Sequence, residues 1–350
     1  MSWGTWTRRV IIPAGLGCVL AASMAAPALA SHRGGTWTSL APVPAPTEGM
    51  SVAHVGNVIV AAYGFNRFSG DTNVTRLYNI ATNTWRRGAA APGGPSSEGT
   101  AVAHGGSIYA LGGRDRTQNH MNHRYTPATN TWTVLAPMPT GRTGLAAAVA
   151  GDAIFAIGGR RDIGGPCSGR PLARVERYNI ARNTWRRVAP LPARRSDIGA
   201  IAHGGKIYVF GGCTNGVSTV SHAVEIYNPV TNTWAKGAPM PTARAGFYGV
   251  GIVGGNIYVM GGLNAAGRPS RANEVYNIAH NTWSKATPMR HPRGEMGVTS
   301  HGGRIFTVGG ALPAFGASGA LVVVSAGRAS SCDLRPPAAE VRTASRARLS

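Results

Sequence analysis

Four carboxylates in this chain, Glu48, Glu98, Asp197 and Glu295, align to one position in successive segments of similar sequence, each just ahead of a run of small apolar residues. Only 13 acidic residues occur among 350, so four at one repeated position carry information. Arg142, Arg195 and Arg293 stand two positions before the same place in their own segments, with Arg244 one further back. Carboxylates accept hydrogen bonds from hydroxyls and guanidiniums clamp acidic groups, so a cup of both could grip a hydroxyl-rich or charged ligand. The same groups could instead accept backbone N–H bonds or pair with one another, fastening one segment to the next. An acid and a base at such a place would also serve proton transfer.

The elements that position these residues are written in a repeat. Asn-Thr-Trp recurs at Trp85, Trp132, Trp185, Trp234 and Trp283, each with a tyrosine seven residues earlier: Tyr78, Tyr125, Tyr178, Tyr227 and Tyr276. The tryptophans are 47, 53, 49 and 49 residues apart, a period of one supersecondary unit. Ahead of four of the tyrosines lies a short apolar stretch ending in a glycine pair, Gly112-Gly113, Gly158-Gly159, Gly211-Gly212 or Gly261-Gly262, and a fifth pair, Gly309-Gly310, follows the last tryptophan. In the fourth copy Ser196–His203 is small and apolar and reads as an inner strand A. Ile207–Phe210 reads as a strand B buried on both faces, Val224–Tyr227 as strand C, and Trp234 opens strand D. Asn232, in the turn before it, can take the left-handed conformation cheaply.

The glycine pair, the Tyr–six–Trp frame and the Pro-Met-Pro stretches together resemble the kelch repeat, over roughly residues 36–327. The resemblance implies an all-β, six-bladed propeller of four-stranded blades around a central channel. The first copy departs from the pattern, with Ala62-Tyr63 aligned to the glycine-pair place. The sixth offers Leu321–Val324 as strand C but no tryptophan of its own. Trp37, ahead of Pro42-Val43-Pro44, supplies the missing strand and predicts a ring closed by the N-terminal segment. In such a meander the A–B and C–D turns share one face; the D–A linkers and B–C loops, which vary between copies, share the other. Binding chemistry belongs on the variable face, at the channel mouth.

Other residue types narrow the chemistry. His54, His104, His203 and His301 sit in A–B turns of separate copies, without chelating spacing, so no metal site is expected. Cys167 and Cys213 lie in B–C loops of neighbouring copies and predict a disulfide. Kelch propellers mostly serve as interaction scaffolds, which implies a binding module for a glycan, an anionic wall polymer or a protein, with no cofactor. The family also implies an alternative, a carbohydrate-active enzyme like galactose oxidase or a sialic acid mutarotase. Oxidase chemistry needs two His and two Tyr on copper, with a Cys against one Tyr. Only Tyr63, Tyr248 and the loop histidines His120, His123, His222 and His291 lie outside the repeat, and nothing sets a Cys beside either tyrosine.

Composition frames these readings. The formal charge is +22, with 35 Lys+Arg, which favours anionic partners. The arginines are spread along the repeats and lack the interleaved aromatics of a nucleic-acid platform, so no nucleic acid is expected. Residues 1–30 read as a cleaved export signal: Arg8-Arg9, an apolar run from Val10 to Ala25, then Ala28-Leu29-Ala30. The Thr7-Arg8-Arg9-Val10-Ile11-Ile12 stretch resembles a twin-arginine signal; an ordinary secretory route fits as well. Pro13, Gly15, Gly17 and Pro27 break the run and make it a poor membrane anchor. The expected product is a secreted or periplasmic monomer, with residues 31–327 as the propeller and 328–350 as a disordered basic tail carrying Cys332.

Overall fold

A computed structural model describes Met1 and residues 35–114, 119–161, 164–214, 219–313 and 316–325. Apart from Met1, the expected export signal lies outside these residues, as do Cys18, Cys332 and the tail 328–350. Every element among the described residues is a strand, and none is a helix long and apolar enough to cross a membrane.

Six antiparallel four-stranded sheets form the blades of a propeller. Blades 1 to 5 are continuous in the chain and span 51–87, 100–134, 146–187, 199–237 and 251–285. The sixth takes three strands from 297–325 and its outermost from Trp37–Ser39, which pairs Trp37 with Val324, Thr38 with Val323 and Ser39 with Val322. The closure expected from Trp37 is therefore present, and the Trp37 indole N–H donates to the Thr287 carbonyl at 3.0 Å.

Blade 3 shows how sequence becomes strand order. Ala146–Ala150, almost all alanine, forms the inner strand, where six blades converge and only small side chains fit. Ala153–Ile157 is buried along its length, so it is apolar at every position rather than alternating. Val175–Asn179 and Thr184–Arg187 follow outward, with Tyr178 opposite Trp185. That cross-strand pair repeats in every blade that carries the frame, with ring centroids 4.8 to 5.2 Å apart.

The same frame also joins the blades. Each asparagine of the Asn-Thr-Trp turns has a φ of 52° to 57°, the left-handed conformation expected of it. Its side-chain oxygen accepts from the tyrosine hydroxyl of its own blade, as Tyr227 to Asn232 at 2.6 Å, and from a backbone N–H of the preceding linker, as Ala189 to Asn232 at 2.8 Å. The tryptophan then donates to the carbonyl of that same linker residue, Trp234 to Ala189 at 3.1 Å. Ala41, Ala89, Ala136 and Ala238 are gripped at both backbone groups in the same way. A residue held at both N–H and C=O has its two backbone groups satisfied where one blade meets the next.

Candidate functional site

Where the linkers meet the inner strands, one residue from each blade joins a closed ring of backbone hydrogen bonds. The amide of Glu98 donates to Gly49, Gly144 to Glu98, Asp197 to Gly144, Gly246 to Asp197, Glu295 to Gly246 and Gly49 to Glu295, at 2.6 to 3.1 Å. All six have a positive φ, between 51° and 68°. Glycine fills the place in blades 1, 3 and 5, and a carboxylate in blades 2, 4 and 6. The expected register needs one correction. Gly49, not Glu48, holds the ring position in blade 1, and Glu48 precedes it, bridged to Phe65.

A second correction concerns the arginines. Counted from the ring, Arg142, Arg195, Arg244 and Arg293 all stand two positions before it, Arg244 included. None reaches the mouth; each is almost wholly buried inside its own blade. Arg142 pairs with Glu176 at 2.7 Å, Arg244 with Glu274 at 2.7 Å, and Arg195 with Glu225. Burial lowers the pKa of all three, and the glutamates pull it back. Arg293 meets no glutamate: it donates to the carbonyls of Gly309 and Ala320 and to Thr307, and burial presses it down to about 10. These four fasten each linker to its own blade, through strand-C glutamates or backbone carbonyls rather than by pairing with the aligned carboxylates.

The residues that face the ring carboxylates come from a place the repeat pattern does not mark, the one after each glycine pair. In blade 1 that pair is Tyr63-Gly64, with φ of 61° and 104°, rather than Ala62-Tyr63. The following residues are Phe65, Arg114, Arg160, Cys213, Leu263 and Ala311. Each pairs through its backbone with the residue just before the ring. Arg160 bridges two ring acids, Asp197 and Glu98, at 2.5 Å each, and donates to the Gly164 carbonyl at 2.9 Å. Burial works against the Arg160 charge, but Asp197 and Glu98 outweigh it and raise its pKa. Gly144 makes this node possible, because a Cβ there would collide with the Arg160 guanidinium and lie 2.7 Å from Asp197.

The three ring acids are not equivalent. Asp197 is fully engaged, taking Arg160 on one oxygen and the Ser196 hydroxyl and the Cys167 amide on the other, at 2.8 and 3.0 Å. Glu98 has Arg160 and, at 3.4 Å, Arg114, which also reaches Asp71 at 3.6 Å. Burial nevertheless pushes Glu98 up to about 7, Arg160 opposing and Asp197 adding to the shift. Glu295 is 8% exposed, and its carboxylate makes no hydrogen bond or ion pair among the described residues. Burial, then Glu98, Glu48 and Asp197, raise it well above the usual carboxylate range. On the strand side of the ring Tyr248, 3% exposed, has a hydroxyl without a partner among the described residues, raised by burial and by Glu98, Asp197 and Glu295. It lines an axial cavity of about 350 Å³ among the inner strands.

On the loop side the ring opens into a cavity of about 840 Å³. Glu48, Glu98 and Glu295 form its acidic floor; Phe65, Arg114, Pro166, Leu263, Arg268 and Leu312, from the B–C loops of five blades, form its walls. Cys167 and Cys213 are joined as a disulfide, Cα atoms 5.4 Å apart, which ties the B–C loops of blades 3 and 4 beside it. Among the described residues, the only three potential metal ligands with donor atoms within 4.8 Å of one another are Cys167, Asp197 and Cys213. Their disulfide and the full hydrogen bonding of Asp197 leave no free donors there. His54 bonds Thr299 at 2.7 Å and stacks edge-on against His301, while Tyr63 bonds His123 at 2.9 Å between blades 1 and 2. Tyr63 and Tyr248 thus serve different neighbourhoods, with neither cysteine among the partners of either.

Comparison with known proteins places this architecture. Residues 136–310 match the model of the KLHDC2/KLHL20/DRC7 Kelch-repeats domain, and residues 46–91 and 95–139 match the Kelch motif. Alpha-scruin of Limulus polyphemus is 40% identical over 67 residues, 19% of this chain and 7% of that protein. Kelch domain-containing protein 8B of Rattus norvegicus is 27% identical over 161 residues, 42% of this chain and 44% of its own. The matched stretches thus span less than half the length of these curated relatives. The solved structure of YjhT superposes with a TM-score of 0.68 over 80% of this chain and 95% of that one, at 17% identity, a likeness of fold alone. With its blades, its Tyr–Trp frame and these matches in agreement, the chain belongs to the kelch-repeat family.

Proposed function

We propose that this propeller is an exported binding module whose recognition site is the cavity where the D–A linkers and B–C loops meet, taking a glycan, a wall polymer or a protein. Kelch propellers are in general protein-interaction modules. The observation that carries the reading is the cavity of about 840 Å³ at the end of the axis, walled by five different loops over a nearly uniform scaffold. Its size suits a small ligand or a protruding chain segment, and variable loops on a rigid frame are where binding residues concentrate. The Cys167–Cys213 disulfide supports an oxidising compartment.

Ala266 lines the cavity from an exposed loop, so Ala266→Trp fills the space without touching the blades. Glycans, wall polymers and extracellular proteins are screened against the wild type and this variant, with thermal unfolding as the control for fold. A partner retained by the wild type and lost by the folded variant is the expected result. Partners bound equally by both would move the site away from the mouth.

A further inference from the structure

The mouth gathers three of the few carboxylates of a strongly basic protein, Glu48, Glu98 and Glu295, against two arginines, Arg114 and Arg268. We infer that the cavity floor at Glu295, Glu98 and Glu48 receives the ammonium group of a lysine side chain from a partner protein. This rests on the reading of the mouth as the binding site and gives it a ligand class.

Three observations converge. The first is Glu295 itself, more than nine-tenths buried, unpartnered among the described residues, and lining the cavity. A carboxylate in that position is costly while ionised and unpaired, and a cation brought to it recovers the interaction that burial removed. The second is how the other acids are neutralised. Arg160 reaches Asp197 and Glu98 from the place after the glycine pair in blade 3. The same place holds Leu263 in blade 5 and Phe65 in blade 1, the blades on either side of Glu295. Leu263 sits over its blade's ring glycine much as Arg160 sits over Gly144: a Cβ on Gly246 would meet it at 3.0 Å. The fold thus withholds a cation at Glu295 where it supplies one to Glu98 and Asp197. The third is the wall. Beside Arg114 and Arg268 the wall is apolar at Phe65, Pro166, Leu263 and Leu312, and an apolar stretch above carboxylates complements a lysine, with its hydrocarbon stem and compact charged head. An ammonium offers three donors that turn freely, which suits carboxylates arriving from separate blades better than a planar guanidinium fork does. The floor carboxylates do not gather three donors within 4.8 Å, as direct ligation of a bare metal ion would require.

The charged groups around the floor set the pH dependence. Glu48, Glu98 and Asp197 raise Glu295, Arg160 opposes them, Arg114 acts on Glu48 and Glu98, Arg268 stands at the rim, and Tyr248 lies beneath. Without a ligand Glu295 holds its proton well above the usual carboxylate range, and an ammonium at the floor displaces it. Binding therefore releases protons and tightens as pH rises; Glu98, pushed up to about 7, adds its own charge between pH 6 and pH 8.

The test titrates full-length protein with acetyl-trilysine amide, its Nε-acetylated form, triglutamate and glucosamine trimer, by calorimetry at pH 6 and pH 8. Trilysine is expected to bind, tighter at pH 8, and at least ten-fold more weakly once Nε-acetylated. Glu295→Gln should weaken trilysine at least ten-fold with no loss of thermal stability, since it removes a buried unpaired carboxylate. Leu263→Arg keeps Glu295 but gives it a partner, and should abolish the same binding. Trilysine that fails to bind, or binds Glu295→Gln as well as wild type, overturns the inference. So does triglutamate as the tighter ligand. Glucosamine trimer bound more tightly than trilysine, and dependent on Glu295, overturns the protein assignment in favour of an amino glycan. None of these outcomes touches the Ala266→Trp screen, which decides separately whether the mouth binds anything.

Discussion

Arg160→Met isolates the node at the centre of the ring. The guanidinium is fully buried, holds Glu98 and Asp197 at 2.5 Å each, and donates to the Gly164 carbonyl at 2.9 Å. Methionine fills part of the volume and removes the charge. Breaking a buried pair by deleting one partner costs about 3–5 kcal/mol, because the other charge is left uncompensated. Asp197 keeps the Cys167 amide and the Ser196 hydroxyl, and Glu98 keeps Arg114 at 3.4 Å, so a value near 3 kcal/mol is expected, in keeping with that range. The pH dependence has a definite sign. Glu98 titrates at about 7 with the pull of Arg160 included, and higher still without it. Below pH 7 both proteins hold that carboxyl protonated, so the deficit reflects the lost pair with Asp197 together with lost hydrogen bonds and packing. Above it the wild type ionises Glu98 beside Arg160 and the variant resists, so the deficit widens by up to about 1.4 kcal/mol per pH unit. Urea unfolding of both proteins at pH 6 and pH 9 measures this. A deficit under about 1 kcal/mol, or one that narrows as pH rises, would refute the assignment of Arg160 as the buried counter-ion.

Trp37→Ala removes the aromatic that seals blade 6 and its bond to Thr287, and should cost about 3–5 kcal/mol in urea unfolding; an unchanged midpoint would mean that the N-terminal strand does not close the ring. Cys167 and Cys213 lie 46 residues apart, and in the chain-entropy account opening a loop of that length costs at most about 4 kcal/mol. The double serine variant should unfold earlier by up to that amount, and mass spectrometry should find the thiols of the wild type blocked until reduction. Gly144→Ala is expected to cost about 2 kcal/mol or more, since a positive φ disfavours any side chain and this Cβ collides with Arg160. Gly254→Ala shares the positive φ but meets nothing within 4 Å, so it should cost only about 1 kcal/mol; equal losses at the two sites would remove the steric part of the explanation.

The scaffold is far more legible in the sequence than the site. Tyr and Trp at a fixed separation are forced opposite each other once strands C and D pair, so the frame can be read from residue spacing alone, and Trp37 announces the closure by lacking a tyrosine seven residues earlier. The ring is set by backbone conformation instead. Glycine and a carboxylate can occupy the same left-handed position, so matching acids to acids places Glu48 where Gly49 belongs. The arginines stand out by their spacing, but spacing two positions from the ring does not say which way a side chain turns. Their partners Glu176, Glu225 and Glu274 lie in strand C, some 30 residues onward, and are absorbed into the repeat. Arg160 escapes because the position after the glycine pair holds a different residue type in every blade except blades 2 and 3, which both carry arginine. That variability is the available signal: a position that changes right after a fixed glycine pair is one where each blade can differ.

That same position explains how a symmetric frame acquires a one-sided site. Every bond of the backbone ring runs from N–H to C=O, so no side-chain group is a link in it. Charge around the axis can therefore be set by two choices in each blade, the ring residue and the residue after the glycine pair. Blades 2 and 3 place arginine at the second, and the acids beside them are neutralised; blades 1 and 5 place Phe65 and Leu263 there, and Glu295 between them is not. The Tyr–Trp–Asn clamps that hold the blades together lie toward the outer strands and share none of these residues. Exchanging one side chain at the mouth can thus change which ligand charge it accepts while every blade-to-blade clamp stays intact, and three carboxylates can gather at the mouth of a propeller with a net charge of +22.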